Sequence, residues 1–387
     1  MKKKNLTLFF EYFEEIHFEK DPFLVPYYLG KMMDYDVHIL YPKKDENKNI
    51  PPEYRGVKMI PFTTYGDMWK NPSKCFKDVL EYLRDNAKNI DVLMVFFGGL
   101  KSVPIVTTYK KFNSKGKVYV KRDLNPFEIK PWSSYSLWGK IKELIYYYKT
   151  YKFFNQIPDV VSCETQLALE KLRNDTNPNL RYGDNLVLVP NGMDEPSIKE
   201  MGFGKSQFAE KDNIMLTVGR LGTPPKNTDM LLRTFEKVNF KDWKFYMVGW
   251  IDPQFEEKVK LFQAKHPELK EKVIWTGAIT DRKKLYDLYN RSKVFVLSSR
   301  WEGFAIVFAE AQRFSNYVVT TPVGAYKDVI EDGKYGEAVE IDNDDAMAKS
   351  LQKIIDGKTN TDVYGGFDIE SLSWENRLRI VAEKLLK

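Results

Sequence analysis

Two stretches of this 387-residue chain carry side chains whose types and spacing suit chemistry. The first is "RWEGFAIVFAEAQ", residues 300–312, in which Glu302 and Glu310 stand alone in an apolar run. Eight residues of α-helix rise about 12 Å, too far for two carboxylates to share one proton or one metal. Two separated parts of one elongated ligand would satisfy that spacing. A buried helix with a capping Glu and an unrelated Glu two turns later would satisfy it too. The second stretch is "TVGRLGTPPKN", residues 217–227, where Arg220 and Lys226 follow an apolar strand and Gly219 and Gly222 let the backbone turn. Arg offers a planar fork and Lys a mobile point charge, so the pair can neutralise a diphosphate. The alternative is a solvated basic loop. The stretch lacks the Lys-[Ser/Thr] ending of a P-loop, and no G-x-G-x-x-G follows any strand, which disfavours triphosphate hydrolysis and dinucleotide redox chemistry.

The elements that must position these residues alternate between strand and helix. "NLTLFF", "DVHIL", "GVKMI", "DVLMVFF", "KVYVK", "DVVSC" and "NLVLVP" read as strands in the first half. "NIMLTVG", "WKFYMVG", "KVIWTG", "VFVLSS", "YVVTT" and "EAVEI" follow in the second, with helix-length segments between. This alternation predicts parallel sheets covered on both faces, in two doubly wound domains. The segment 191–213, rich in Gly, Pro and charge, reads as the linker. Ligands of such sheets sit beyond the carboxyl ends of the strands. "VGRLGTPPKN", "VGWIDP", "TGAITD", "SSRWEG" and "TPVGAYKD" all fall there.

Composition narrows the function further. A hydrophobic content of 43% with 29% charged residues describes a globular chain, and no apolar run reaches the length of a membrane span. Cys75 and Cys163 lie far apart without metal-ligand spacing, which fits a reduced, cytoplasmic setting. The histidines His17, His38 and His266 are too scattered for a metal site, and "DYD" at 34–36 reads as a loop-to-strand junction. Between Lys101 and Lys152, twelve Lys/Arg face three acids and interleave with aromatics. A helix packed on its own domain, an anionic membrane surface bound through 130–155, and a nucleic-acid surface are the three readings, in that order. No nucleic-acid module accompanies the patch, so nucleic acid is not expected. Binding at the membrane would make the chain peripheral at the inner face.

The strand ending "VGRL", the Lys-Asn at 226–227, "SSRWEGFAIVFAEA", "TPVGAYKDVI" and, more weakly, "VPNGMD" at 189–194 together resemble the retaining glycosyltransferases of family 4. The resemblance implies the α/β GT-B fold, two Rossmann-like doubly wound domains facing across a cleft. It sets an N-terminal acceptor domain at 1–192, a nucleotide-sugar donor domain at 193–370, and a C-terminal helix, 371–387, that crosses back. It implies that Glu310 takes ribose hydroxyls, that Glu302 approaches the donor sugar, and that Arg220 and Lys226 stabilise the leaving diphosphate without a metal or other cofactor. Gly219, Gly277, Gly303, Phe304, Ala305 and Ile306 would line the donor, the last four beginning a helix whose N–H groups face the diphosphate. Glu14, His17 and Asp123 are the candidates for the acceptor side, with a surface or packing role as the alternative for His17.

The expected activity is metal-independent hexosyl transfer to a glycan or lipid-linked acceptor in cell-surface polysaccharide assembly. A GT-B sugar phosphorylase and a catalytically silent scaffold are the alternatives. The chain departs from the family pattern in several places. Ala305 stands where Gly is usual, no Gly closes "EAQRFSNYVV" so that Asn316 is expected in the left-handed position, and Arg122 and Asp123 stand where His is frequent. These departures bear on substrate identity more than on reaction class.

Overall fold

The computed structural model describes residues 3–148, 156–174, 176–177 and 182–387. The chain divides into two compact units, Met1–Gly192 with Trp374–Lys387, and Met193–Ser373. Each run read as a strand overlaps one.

Unit 1 is built on an eight-stranded sheet of order β3-β4-β2-β1-β5-β6-β7-β8. The strands are β1 (Lys4–Phe9), β2 (Tyr35–Pro42), β3 (Glu53–Tyr54), β4 (Val57–Phe62), β5 (Val92–Phe96), β6 (Lys117–Arg122), β7 (Val160–Cys163) and β8 (Leu186–Leu188). All pairings are parallel except that of β3, a two-residue edge strand too short for the sequence to signal. The period-2 geometry of a strand sends alternate residues to opposite faces. Val92, Met94 and Phe96 of β5 thus join one core layer, and Leu93 and Val95 the other. Burial on both faces is why these strands read as unbroken apolar runs. The first layer packs helix α1 (Asp21–Met33) and the last helix of the chain, Trp374–Leu386, through Phe23, Tyr28, Trp374, Leu378, Val381 and Leu385.

Unit 2 carries β9 (Asp212–Val218), β10 (Lys244–Val248), β11 (Val273–Gly277), β12 (Ser292–Leu297), β13 (Tyr317–Thr320) and β14 (Gly336–Ala338) in the order β11-β10-β9-β12-β13-β14, all parallel. Val294 and Val296 of β12 face one layer, Phe295 and Leu297 the other. In both sheets the strand order reverses beside the first strand, between β1 and β5 and between β9 and β12. That reversal opens the crevice where doubly wound sheets bind ligands.

Two boundaries differ from the sequence reading. The segment 191–213 is no free linker. It folds into unit 2 through the helix Glu195–Glu200, and Glu195 forms a buried ion pair with Arg313, which also donates to the Gly204 carbonyl at 3.0 Å. Unit 2 ends at Ser373 rather than 370, because the Met193 N–H bonds the Leu372 carbonyl at 2.7 Å and Met193 bridges Ser373. No helix among the described residues is long and apolar enough to cross a membrane.

Candidate functional site

The reversal point of unit 2 brings the ends of β9 and β12 together. Beyond β9 the chain runs so close to its neighbours that only glycine fits. Gly219 N–H bonds the Val248 carbonyl and Gly249 N–H bonds the Gly277 carbonyl, both at 2.9 Å. A Cβ on Gly249, whose φ is +144°, would lie 1.7 Å from the Gly219 carbonyl oxygen. The stem of Lys226 crosses Gly219, where an added Cβ would meet Lys226 Cε at 3.2 Å. Gly222, at φ +84°, packs on Phe255, and its N–H donates to Thr228 Oγ1 at 2.7 Å. A 3-10 turn, Pro224–Lys226, and the left-handed Asn227 then deliver the chain into helix α2 (Thr228–Phe235). Each step fixes where Lys226 stands.

From the β12 side comes its partner. Lys226 Nζ lies 2.6 Å from Glu302 Oε1, which also accepts from Ser299 Oγ at 2.9 Å. Both members of the ion pair are about one-sixth exposed (16% and 17%), so they face the solvent-filled end of the sheet rather than the core. The loops are laced from below: Ser298 Oγ donates to the Lys226 carbonyl at 3.0 Å, and Arg300 N–H to the Pro225 carbonyl at 2.7 Å. Arg300 clamps Asp342 through two nitrogens, at 2.7 and 3.0 Å, and the Gly324 N–H donates to the Glu302 carbonyl at 3.1 Å. The Arg220 side chain leaves the same strand end exposed, with no ion pair among the described residues. A fixed, paired cation thus stands near an unpaired one at the sheet's ligand edge. Ser298 and Ser299, which brace it, were legible only as polar residues after a strand.

Glu310 sits elsewhere than the helical ruler of the sequence predicts. Helix α3 (Arg282–Arg291) and helix α4 (Ile306–Arg313) pack to enclose it. α4 starts at Ile306 with Ala305 as its N-cap, so Gly303 and Phe304 belong to the preceding loop and Glu302 lies outside the helix. The 12 Å spacing therefore does not follow from helical rise. Phe304 and Ala305 are buried in the core beside α4. Glu310 is 3% exposed. Arg282 Nη1 reaches its Oε1 at 2.8 Å and Tyr289 OH donates to its Oε2 at 2.9 Å. Arg282 and Tyr289 are seven residues apart on one face of α3, whose N-cap Asp281 accepts from the Lys284 N–H. Burial, followed by the Glu310 charge, holds the Tyr289 hydroxyl well above its ordinary range. Neither partner was singled out in the sequence. Asn316 is also reassigned: Ser315 takes the left-handed conformation (φ 55°), and the buried Asn316 amide donates to the Tyr289 and Ser292 carbonyls.

In unit 1, Glu14 and His17 stand together. The Glu14 N–H donates to His17 Nδ1 at 2.8 Å, and the Glu14 carboxylate lies 3.7 Å from Lys44. The His17 ring packs against Phe10 and Phe13, and burial lowers its pKa. Asp123 follows β6 beside a cluster the sequence reading passed over. Lys121, fully buried, lies 2.8 Å from Asp21 and bonds Glu164, which burial and then the Asp123 charge hold well above the usual glutamate range. Asp34 and Asp36 of "DYD" both pair with Lys3, at 2.9 and 3.8 Å, and Asp34 C-caps α1 in the left-handed conformation. Among the described residues no three His, Cys, Asp or Glu side chains converge to hold a metal.

A helix, Leu137–Tyr148, spans much of the basic aromatic segment. Its Trp138, Ile141 and Ile145 form one face and are exposed, Trp138 at 74%. The side chains of 146–148 and all of 149–155 lie outside the described residues.

Residues 199–364 match the family model described as glycosyl transferases group 1. Over 109 residues the chain is 35% identical to the amylovoran biosynthesis glycosyltransferase AmsD of Erwinia amylovora, covering 28% of this chain and 29% of that one. It is 26% identical over 176 residues to the phosphatidyl-myo-inositol mannosyltransferase of Mycolicibacterium smegmatis, covering 45% and 44%. The matched stretches thus span less than half of these relatives. Among solved structures, sucrose-phosphate synthase from Thermosynechococcus elongatus superposes with a TM-score of 0.69 at 16% identity, covering 98% of each chain. The lipopolysaccharide outer core galactosyltransferase WaaB gives 0.70 at 14%, and Anabaena HepE in complex with UDP and glucose 0.69 at 13%, each covering 99% of both chains. At such identities the likeness is one of fold, and the fold is GT-B.

Proposed function

On the premise that residues 199–364 belong to the glycosyl transferases group 1 family, we propose that the chain transfers a hexose from a nucleotide-diphosphate sugar to a glycan or lipid-linked acceptor in polysaccharide assembly. Transfer retains the anomeric configuration and uses no metal. The observation that carries this reading is the Lys226 ammonium, held 2.6 Å from Glu302 above Gly219 at the reversal point of the unit 2 sheet. Lys226 and the exposed Arg220 neutralise the diphosphate as its bond to the sugar C1 breaks, the electrostatic contribution that dominates many such reactions. The acceptor oxygen bonds C1 on the face the diphosphate leaves, and the acceptor's proton passes to a departing phosphate oxygen. Glu302 addresses sugar hydroxyls while orienting Lys226. Glu310 takes the ribose, with Arg282 and Tyr289 fixing where its carboxylate stands. The Phe308 N–H bonds the Ala305 carbonyl at 2.9 Å, which leaves the Ile306 and Val307 N–H groups at the start of α4 to meet the diphosphate.

The relatives' names, which include a mannosyltransferase and an amylovoran enzyme, and the UDP and glucose bound by HepE support this donor and acceptor chemistry. The exposed apolar face of Leu137–Tyr148, flanked by Lys140 and Lys142, supports a peripheral position on an anionic membrane at the cytoplasmic side. A thermal-shift screen of nucleotide sugars, followed by donor hydrolysis without acceptor, tests the reading. A donor that raises the melting temperature and is slowly hydrolysed is expected. Binding of every nucleotide sugar without hydrolysis or transfer would leave a silent scaffold instead.

A further inference from the structure

Unit 1 holds a cavity remote in sequence from Lys226 and adjoining Glu14, which pairs with one of its lysines. Beyond the carboxyl ends of β2 and β4, a cavity of about 630 Å³ opens between Tyr41 and the turn that follows β2. That volume lies in the range of small-molecule sites and exceeds what a bare inorganic anion fills. The chain around it is pinned. Lys43 N–H bonds the Phe62 carbonyl at 2.7 Å, and the buried Asn47 amide donates to the Phe13 and Pro42 carbonyls, both at 2.9 Å. The cavity is therefore formed before any ligand arrives.

Its lining consists mainly of donors. Lys43, Lys44 and Lys48 bring three ammonium groups within six residues of chain, and like charges so close repel one another. Among the described residues, Lys44 pairs with Glu14 at 3.7 Å and Lys48 with the well-exposed Asp45 at 3.3 Å. Lys43 has no ion pair among the described residues. The Tyr41 ring is largely buried, and the residue lines the cavity with a hydroxyl that no described residue engages and that is free to donate to a ligand. Ammonium groups and a phenol call for an acceptor with negative charge, while the Asp45 carboxylate at the rim accepts from a hydroxyl. We propose that this cavity binds a sugar-sized molecule bearing a phosphate or carboxylate, its anion on Lys43, Lys48 and Tyr41 and a hydroxyl on Asp45.

Isothermal titration of the full chain with glucose 6-phosphate, glucuronate, glucose and inorganic phosphate tests this. One or both anionic sugars should bind at least about tenfold more tightly than glucose, as charge-assisted hydrogen bonds require, and more tightly than inorganic phosphate. Which of the two binds identifies the anion. Lys43→Met/Lys48→Met should lose that binding by about tenfold or more and Tyr41→Phe by a few-fold, with melting temperatures unchanged. Lys226→Met should leave it intact, so failure of the donor reading would not touch this result. Glucose or bare phosphate binding as tightly as both anionic sugars would overturn the proposal. So would lysine variants that bind normally, or loss of binding in Lys226→Met.

Discussion

Replacing Glu310 by Gln preserves shape and removes the charge on which Arg282 and Tyr289 converge. Its two oxygens accept at 2.8 and 2.9 Å, so both are committed within the protein. Removing one partner of a buried ion pair costs about 3–5 kcal/mol. The Arg282 side chain keeps 20% of its surface in water, and solvent screening brings the expected loss down to about 2–3 kcal/mol. In a unit of this size each kcal/mol moves the melting temperature by about 2–4 °C, which gives a fall of about 4–12 °C. Tyr289→Phe leaves the ion pair and removes one hydrogen bond to a charge, so it should cost about half as much. Arg282→Met combined with Glu310→Gln should be less damaging than the sum, with a coupling of at least about 1 kcal/mol. Melts followed by circular dichroism with and without UDP or GDP separate anchoring from binding. A ligand at a hundred times its dissociation constant adds about 2.7 kcal/mol to the wild type, and at the same concentration it should add clearly less to the Gln variant if Glu310 also holds the ribose. A Gln variant that melts within about 1 °C of wild type, without coupling to Arg282, would refute the anchoring argument.

Other perturbations follow from the same geometry. Lys226→Met should lower turnover by about a hundredfold to a thousandfold while changing stability by less than about 1 kcal/mol; steady-state kinetics with undiminished turnover would contradict its role. Native Glu164 binds a proton that the unfolded chain releases above about pH 4.3, so unit 1 should lose stability as pH rises from there until Glu164 ionises. Urea melts of Glu164→Gln across that window should show a flatter slope than wild type, and identical slopes would count against it. Trp138→Ser with Ile145→Ser should reduce sedimentation with anionic liposomes, where each nearby lysine adds about 1 kcal/mol. Equal sedimentation with neutral vesicles would exclude the electrostatic part.

Both sheets were legible because buried parallel strands are continuous apolar runs, and their carboxyl-end turns announce themselves by Gly and charge. Lys226 and Glu302 were legible for that reason: each follows a strand that turned out to flank the reversal point. The partners of Glu310 were not. Arg282 and Tyr289 lie 28 and 21 residues earlier, on another helix, and nothing local marks them. The start of α4 was misplaced because Gly303–Ala305 carries no capping side chain, and an apolar stretch has the same look in a loop as in a helix. The segment 191–213 looked like a linker since its composition is polar, yet Glu195 meets an arginine 118 residues away. Pairings at that range belong to the fold rather than to any stretch of sequence.

The last helix, Trp374–Leu386, places Trp374, Leu378, Val381 and Leu385 in the core of the unit that begins the chain. On a ribosome, domains usually fold in the order they emerge, and here that order is inverted for completion. Unit 2 has its whole sequence available at Ser373, while the face of α1 waits, apolar and uncovered, for residues 374–386 to emerge and dock. A nascent or nicked chain lacking only this helix would carry a finished unit 2 joined to a sticky, half-covered unit 1. Chaperones and proteases should therefore act on unit 1 for as long as this helix is missing or undocked.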